Sequence, residues 1–113
     1  MERSKITSHI LDVEKGKPAS GVVVELTRLS GEKWDHVATG TTDQDGRVGQ
    51  WIEKEIETGH YKISFGVKEY FSSQSRECFY PAVSIEFYLN DLNQHYHVPL
   101  LLSAHGYSTY RGS

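Results

Sequence analysis

The 113-residue chain has a single cysteine, Cys78, and no apolar run near the ~20 residues that a membrane-spanning helix needs. One thiol cannot close an internal bridge, so no disulfide framework staples the fold, and Cys78 is expected as a buried, inert thiol. The opening Met1-Glu2-Arg3-Ser4-Lys5 carries no apolar signal core. A basic excess is also missing: 12 Lys and Arg stand against 15 Asp and Glu, for a net charge of -3. That excludes a nucleic-acid-binding face, and the lack of any like-charge run excludes a membrane-attracting patch. Internal repeats, linkers and low-complexity stretches are absent. These absences leave one domain, residues 1–113, expected in a reducing, cytoplasmic setting; a periplasmic one stays open if a signal preceded this numbering. A core of this size gives modest stability alone, so self-association is expected.

What the chain has in abundance is apolar alternation. Tyr61, Ile63, Phe65 and Val67 alternate with Lys62, Ser64, Gly66 and Lys68, and Val83, Ile85, Phe87 and Leu89 with Ser84, Glu86, Tyr88 and Asn90. A period of two makes strands with one buried face. Further strands are expected at 6–13, 22–29, 34–42, 95–102 and 107–111, with a short one at 51–52. Lys15-Gly16-Lys17-Pro18, Ser30-Gly31 and Asp43-Gln44-Asp45-Gly46 supply the turns between them. Only 67 to about 77 has helical spacing, through Tyr70, Phe71 and Gln74, and Pro81 stops it. Many short strands and one short helix predict an all-β sandwich of two antiparallel sheets.

Six histidines are many for this length, and two sit in His95-Tyr96-His97-Val98-Pro99. In a strand, His95, His97 and Pro99 share one face with Leu101 and Ser103. The other face, Tyr96, Val98, Leu100 and Leu102, is uniformly apolar and is the core side, so the histidines point outward. Pro99, lacking an N–H, is easiest to place on an edge or at a bulge. The His-x-His pair has three readings: exposed polar residues, a metal site, or an acid–base site, since imidazole titrates near neutral pH. No acidic residue at ligand spacing and no cysteine cluster supports the metal. His9 falls with Thr7 and Leu11, opposite Ile6, Ser8 and Ile10. Arg47 follows the Asp43–Gly46 turn and opens a new strand. The end, Ser108-Thr109-Tyr110-Arg111-Gly112-Ser113, sets an aromatic, an arginine, a glycine and a hydroxyl against a terminal carboxylate, a mixture suited to a flat, hydrogen-bonding ligand.

Ser8-His9-Ile10-Leu11-Asp12, Gly16-Lys17-Pro18-Ala19-Ser20-Gly21-Val22, Thr42-Asp43-Gln44-Asp45-Gly46-Arg47, His95-Tyr96-His97-Val98-Pro99-Leu100-Leu101-Leu102-Ser103 and Gly106-Tyr107-Ser108-Thr109-Tyr110-Arg111-Gly112-Ser113 together resemble the 5-hydroxyisourate hydrolase family. That family is the enzymatic relative of the hormone carrier transthyretin. The Pro-Ala-x-Gly-Val and Thr-Asp-x-x-Gly-Arg patterns are shared with non-enzymatic sandwich modules and speak for the fold. The closing Tyr-Arg-Gly-Ser and the second histidine, His97, are more specific, since the carrier lacks both. Ala104-His105 departs from the family, where proline and an aromatic residue often follow Leu-Leu-Ser.

The resemblance implies a transthyretin-like sandwich and hydrolysis of 5-hydroxyisourate to 2-oxo-4-hydroxy-4-carboxy-5-ureidoimidazoline. It implies catalytic roles for His9, Arg47, His97 and Ser113, and substrate contacts from His9, Arg47, Tyr110, Arg111 and Gly112. No metal, cofactor or nucleophilic residue is implied. The implied assembly is a homotetramer, a dimer of dimers with sites in a channel between dimers. Two other classes stay open: a non-enzymatic small-molecule carrier of the transthyretin type and a histidine-based metal-binding module.

Overall fold

A computed structural model describes residues 4–113. The opening residues 1–3, read above as part of a segment without a signal core, lie outside the described residues. The alternating segments form β1 (Ile6–Asp12), β2 (Lys17–Pro18), β3 (Val23–Ser30), β4 (Lys33–Thr41), β5 (Arg47–Val48), β6 (Gly59–Phe65), β7 (Val83–Leu89), β8 (Tyr96–Ser103) and β9 (Gly106–Thr109), with α1 (Val67–Ser72) between β6 and β7. One sheet runs β2-β1-β8-β9, with β5 also paired to β1; the other runs β4-β3-β6-β7. The all-β, two-sheet sandwich with one short helix is as expected.

Face assignment by parity holds on the strands that matter for function. Ile6, Ser8, Ile10 and Asp12 of β1 and Tyr96, Val98, Leu100 and Leu102 of β8 are all buried, in one core with Val24, Leu26, Tyr61, Ile63 and Phe65 of the opposite sheet. The uncharged Ser8 is satisfied there by donating its hydroxyl to Val98 O at 2.6 Å.

Several local expectations are corrected. The sheets are not wholly antiparallel: β1 and β8 run parallel, from Ile6↔Tyr96 to Asp12↔Leu102. Alternation reports which face is buried and is blind to strand direction. Residues 51–52 form no strand. The Trp51 indole instead donates to Ile6 O at 2.8 Å, and the Trp51 and Ile52 amides both donate to Ser4 Oγ. Pro99 lies neither on an edge nor at a bulge but inside β8, which has neighbours on both sides. Its missing N–H costs nothing there, because it falls on the β9 side at a gap in that ladder: pairing runs from Ser103↔Gly106 to Leu100↔Thr109 and resumes only at His97↔Gly112. The Pro99 carbonyl in that gap accepts from Thr109 Oγ1 at 2.7 Å. The final strand therefore ends at Thr109 and not at Arg111. Cys78 is only half-buried against the core. Ala104 and His105 form a two-residue turn between β8 and β9, with Ala104 buried, so the departure at these residues leaves the hairpin closed.

The helix stops at Ser72, earlier than its apolar spacing suggested, because the chain closes a Schellman turn. Arg76 N–H donates to Phe71 O and Ser75 N–H to Ser72 O, with Ser75 in the left-handed region at φ 55°. That turn aims Arg76 at Asp12, which is completely buried. Arg76 Nη1 and the Tyr70 hydroxyl donate to Asp12 Oδ2 at 2.7 and 2.8 Å. Burial pushes the Asp12 carboxyl up, but the Arg76 and Tyr70 hydrogen bonds and the Lys15 amide outweigh it and hold it below its ordinary value of 3.8.

A carboxylate depressed by folding contributes stability above its ordinary pKa and loses it as pH falls through the folded value. Urea midpoints measured from about pH 7 down to about pH 2 should therefore be level and then fall below about pH 4, and Asp12→Asn should flatten that acid limb. Arg76→Leu should cost about 3 kcal/mol at neutral pH, the low end for orphaning a buried charge, since Arg76 is itself 22% exposed. An unchanged acid limb in Asp12→Asn would show that other carboxylates set the acid sensitivity.

Candidate active site

The outward face of the β1–β8 sheet is assembled by three devices. The first is the turn before β5. Asp43 Oδ1 accepts from the amides of Asp45 and Arg47 at 2.8 and 3.0 Å, and Gly46 N–H donates to Asp43 O. Gly46 has φ +73°, and a Cβ there would stand 2.5 Å from Ile10 O, so only glycine fits. The turn sets Arg47 directly across from His9. Arg47 is exposed, and its guanidinium has no carboxylate partner among the described residues.

The second device is the parallel register of β1 and β8. Directly paired residues share a face, so two cross-strand rows form. One is Arg47, His9 and Pro99; the next is Thr7, His97 and Gly112. Within this second row, Thr7 Oγ1 lies 2.8 Å from His97 Nδ1 and 2.9 Å from His95 Nε2. Thr7 is buried, whereas His9, His95 and His97 are half-buried.

The third device is Gly112. Its N–H donates to His97 O at 2.9 Å, and a Cβ on it would meet His97 Cδ2 at 2.5 Å. The imidazole thus occupies the space that a side chain at 112 would take, while Thr7 meets its Nδ1.

These devices bring Arg47, His97 and Ser113 around one cavity of about 240 Å³, with Thr7, Ser8 and Gly49 completing its wall. His9 sits beside it, between Arg47 and Pro99. Tyr110 and Arg111 are placed elsewhere. They line a second cavity of about 240 Å³ at the edge of the sandwich, with Ile85, Phe87 and Tyr96, and His97 borders both. Arg111 stacks on the Tyr96 ring at 4.6 Å and donates to Gln94 Oε1 at 2.6 Å. Within one chain, then, Arg47, His97 and Ser113 converge, and Tyr110 and Arg111 do not join them. Thr7 is the residue that sequence reading passed over; its parity with His9 was visible, but its place opposite His97 needs the parallel register.

The remaining histidines do not line this cavity. His60 pairs with Glu86 at 2.7 Å on the opposite sheet, His36 contacts Thr39 on β4, and His105 is in the β8–β9 turn. No group of three or more His, Cys, Asp or Glu side chains that could hold a metal ion occurs among the described residues. No helix among them is long and apolar enough to cross a membrane.

The glycine contact gives a test independent of activity. Gly112→Ala should push the His97 ring off Thr7, changing the His97 ring resonances, and should cost about 1–3 kcal/mol as an overpacked site does. Unaltered His97 resonances in the folded variant would show that the ring is not held by this contact.

A family model described as HIUase/Transthyretin matches residues 6–112. A 5-hydroxyisourate hydrolase of Salmonella typhimurium is 48% identical over 109 residues, 96% of this chain and 80% of that protein. Among solved structures, Klebsiella pneumoniae 5-hydroxyisourate hydrolase superposes with a TM-score of 0.84 at 32% identity, over 96% of this chain and 98% of that one. Sea bream transthyretin in complex with thyroxine superposes with a TM-score of 0.91 at 29% identity, over 96% and 95%. Backbone likeness to the carrier is thus the higher, while identity to hydrolases is the higher in sequence; the first reads the shared core and the second also reads the outward face. The chain belongs to the HIUase/Transthyretin family.

Proposed function

We propose that the chain hydrolyses 5-hydroxyisourate, opening a ring amide to give 2-oxo-4-hydroxy-4-carboxy-5-ureidoimidazoline. The observation that carries this reading is the convergence of Arg47, His97 and Ser113 on one cavity beside His9, in a chain 48% identical to a named 5-hydroxyisourate hydrolase. His97, with His9, orients water and removes its proton as the water oxygen bonds to the ring carbonyl carbon. Arg47, whose positive charge is unneutralised by any described carboxylate, stabilises the tetrahedral oxyanion, which its planar fork suits. Collapse of the oxyanion breaks the ring C–N bond, and the leaving nitrogen takes the proton back from the imidazolium. Gly112 acts by seating the His97 ring, and the Ser113 hydroxyl supplies a polar wall to the cavity. The placement of Tyr110 and Arg111 in the second cavity favours roles at its edge, with substrate contact left to the Arg47 side. No step calls on a metal or a cofactor.

The site is proposed to be completed in a homotetramer, a dimer of dimers. Its outward face carries half-buried histidines and an exposed Arg47 that the described residues leave partly open. In addition, β7 and β9 end their sheets, and the inward Ile85 and Phe87 of β7 are only half-buried. A cytoplasmic location accompanies the proposal, in keeping with an unbridged Cys78.

Supplied with 5-hydroxyisourate made in place by urate oxidase, the protein should speed decay of its ultraviolet absorbance, with undiminished rate after EDTA treatment. His97→Ala should lower kcat by about 10²- to 10⁴-fold and His95→Ala by less, with both variants folded because the core side of β8 is untouched. Equal, mild losses would refute the assignment to His97, and activity restored by one metal after chelation would favour the metal-binding module. Binding without turnover would favour the carrier.

Light scattering of an active sample should give the mass of four chains. A monomer mass at full activity would refute the assembly.

A further inference from the structure

We propose that Thr7 is a positioning residue for this hydrolysis: its hydroxyl, oriented by His95, holds His97 with the proton on Nδ1 and the lone pair on Nε2. The inference rests on the function proposed above and deepens it. A threonine hydroxyl has one proton to give and two lone pairs to accept with. Thr7 Oγ1 nevertheless lies within hydrogen-bond distance of two imidazole nitrogens, His97 Nδ1 and His95 Nε2. The one proton can go to only one of them, so the other ring must donate its own N–H. The tautomers of the two histidines are therefore coupled through a single oxygen.

Both rings can donate at once to the two Thr7 lone pairs, which leaves the hydroxyl proton without a histidine acceptor; two arrangements use that proton. In one, Thr7 donates to His97 Nδ1, which places the His97 proton on Nε2 and leaves His97 without a basic nitrogen for water. In the other, Thr7 donates to His95 Nε2 and accepts from His97 Nδ1–H, which makes His97 Nε2 the base. Water activation requires the second. It is also the arrangement that stabilises the imidazolium once Nε2 has taken the proton, because Nδ1–H is already in a hydrogen bond. Gly112 complements this by admitting the ring closely at Cδ2, the carbon next to Nε2, where any side chain would displace it. His95 thus acts at one remove from the chemistry. Its Nε2 draws the hydroxyl proton and so decides which way Thr7 points. The logic parallels that of the carboxylate that orients the histidine of a serine protease, with a neutral hydroxyl and a second imidazole in its place.

The test uses the full chain. Long-range ¹⁵N–¹H spectra of the wild-type protein above the histidine titration should show His97 as the Nδ1–H tautomer. Thr7→Val, which keeps shape and β-branching, should shift His97 toward the Nε2–H tautomer that an unconstrained imidazole prefers. It should also lower kcat by about 10- to 100-fold with little change in KM, the loss found where the partner that orients a metal-bound histidine is removed. Thr7→Ser should restore both the tautomer and most of kcat, and His95→Ala should reproduce the Thr7→Val tautomer shift. A wild-type protein with His97 as Nε2–H, or a Thr7→Val variant with unchanged tautomer and kcat, would overturn the proposal. If wild type fails to hydrolyse 5-hydroxyisourate at all, the functional reading falls with it, whereas activity without these Thr7 effects removes only the inference.

Discussion

The parallel ladder between β1 and β8 is the constraint on which the candidate site depends. It joins segments about ninety residues apart, with Thr7 opposite His97 and His9 opposite Pro99. Side chains alternate with a period of two, so a slip of one residue would turn His97 into the core and bring Tyr96 out. Two features oppose the slip. One is the apolar inner set of β8, which would lose its burial. The other is the buried Ser8 hydroxyl, which finds its acceptor, Val98 O, only in the native register. Fold and site are thus secured by the same pairing.

A second constraint is that β9 does not zip fully onto β8. A continuous ladder would need an N–H at Pro99, opposite Tyr110. The chain instead leaves the sheet after Thr109, whose hydroxyl bonds the Pro99 carbonyl, and rejoins in the same register three residues on, at Gly112. The short excursion explains why the closing motif is divided between two places. Tyr110 and Arg111 swing to the sandwich edge, while Gly112 and Ser113 return to the histidine face.

Most of the sandwich was legible in the sequence because alternation records burial directly. The outward placement of His97, the core set of β8 and the start of a strand at Arg47 all followed from parity and turn chemistry. What was not legible depended on pairing partners. Strand direction leaves no trace in alternation, so the parallel β1–β8 pair and the link from Thr7 to His97 were invisible. The expectation of an edge or a bulge for Pro99 assumes ladder bonds on both sides, whereas here the bond it lacks would fall in a gap. The sequence extends the helix too far because Gln74 keeps helical spacing with Tyr70 and Phe71 up to a stop set by Ser75, a residue whose left-handed conformation the sequence does not announce.

The division between the two faces of β8 also bears on how a carrier and a hydrolase can share this fold. Tyr96, Val98, Leu100 and Leu102 are buried and hold the sheets together, while the half-buried His95 and His97 and the buried Pro99 lie on the other face. Because successive side chains leave a strand on opposite sides, the outer set can change with little effect on the inner one. A backbone comparison weighs the inner set, which explains a likeness to sea bream transthyretin higher than that to the Klebsiella pneumoniae hydrolase. Function is decided by the few outward residues that such a comparison does not see. Among them, Thr7 has a particular position: it is buried like a core residue yet lies on the functional face, with its hydroxyl between two imidazoles. A buried hydroxyl is retained at low cost only where it is fully hydrogen-bonded, and here its partners are the histidines themselves. The interaction that satisfies Thr7 is therefore the same one that holds His97, so the stability of this corner of the sheet and the setting of the His97 imidazole are fixed together.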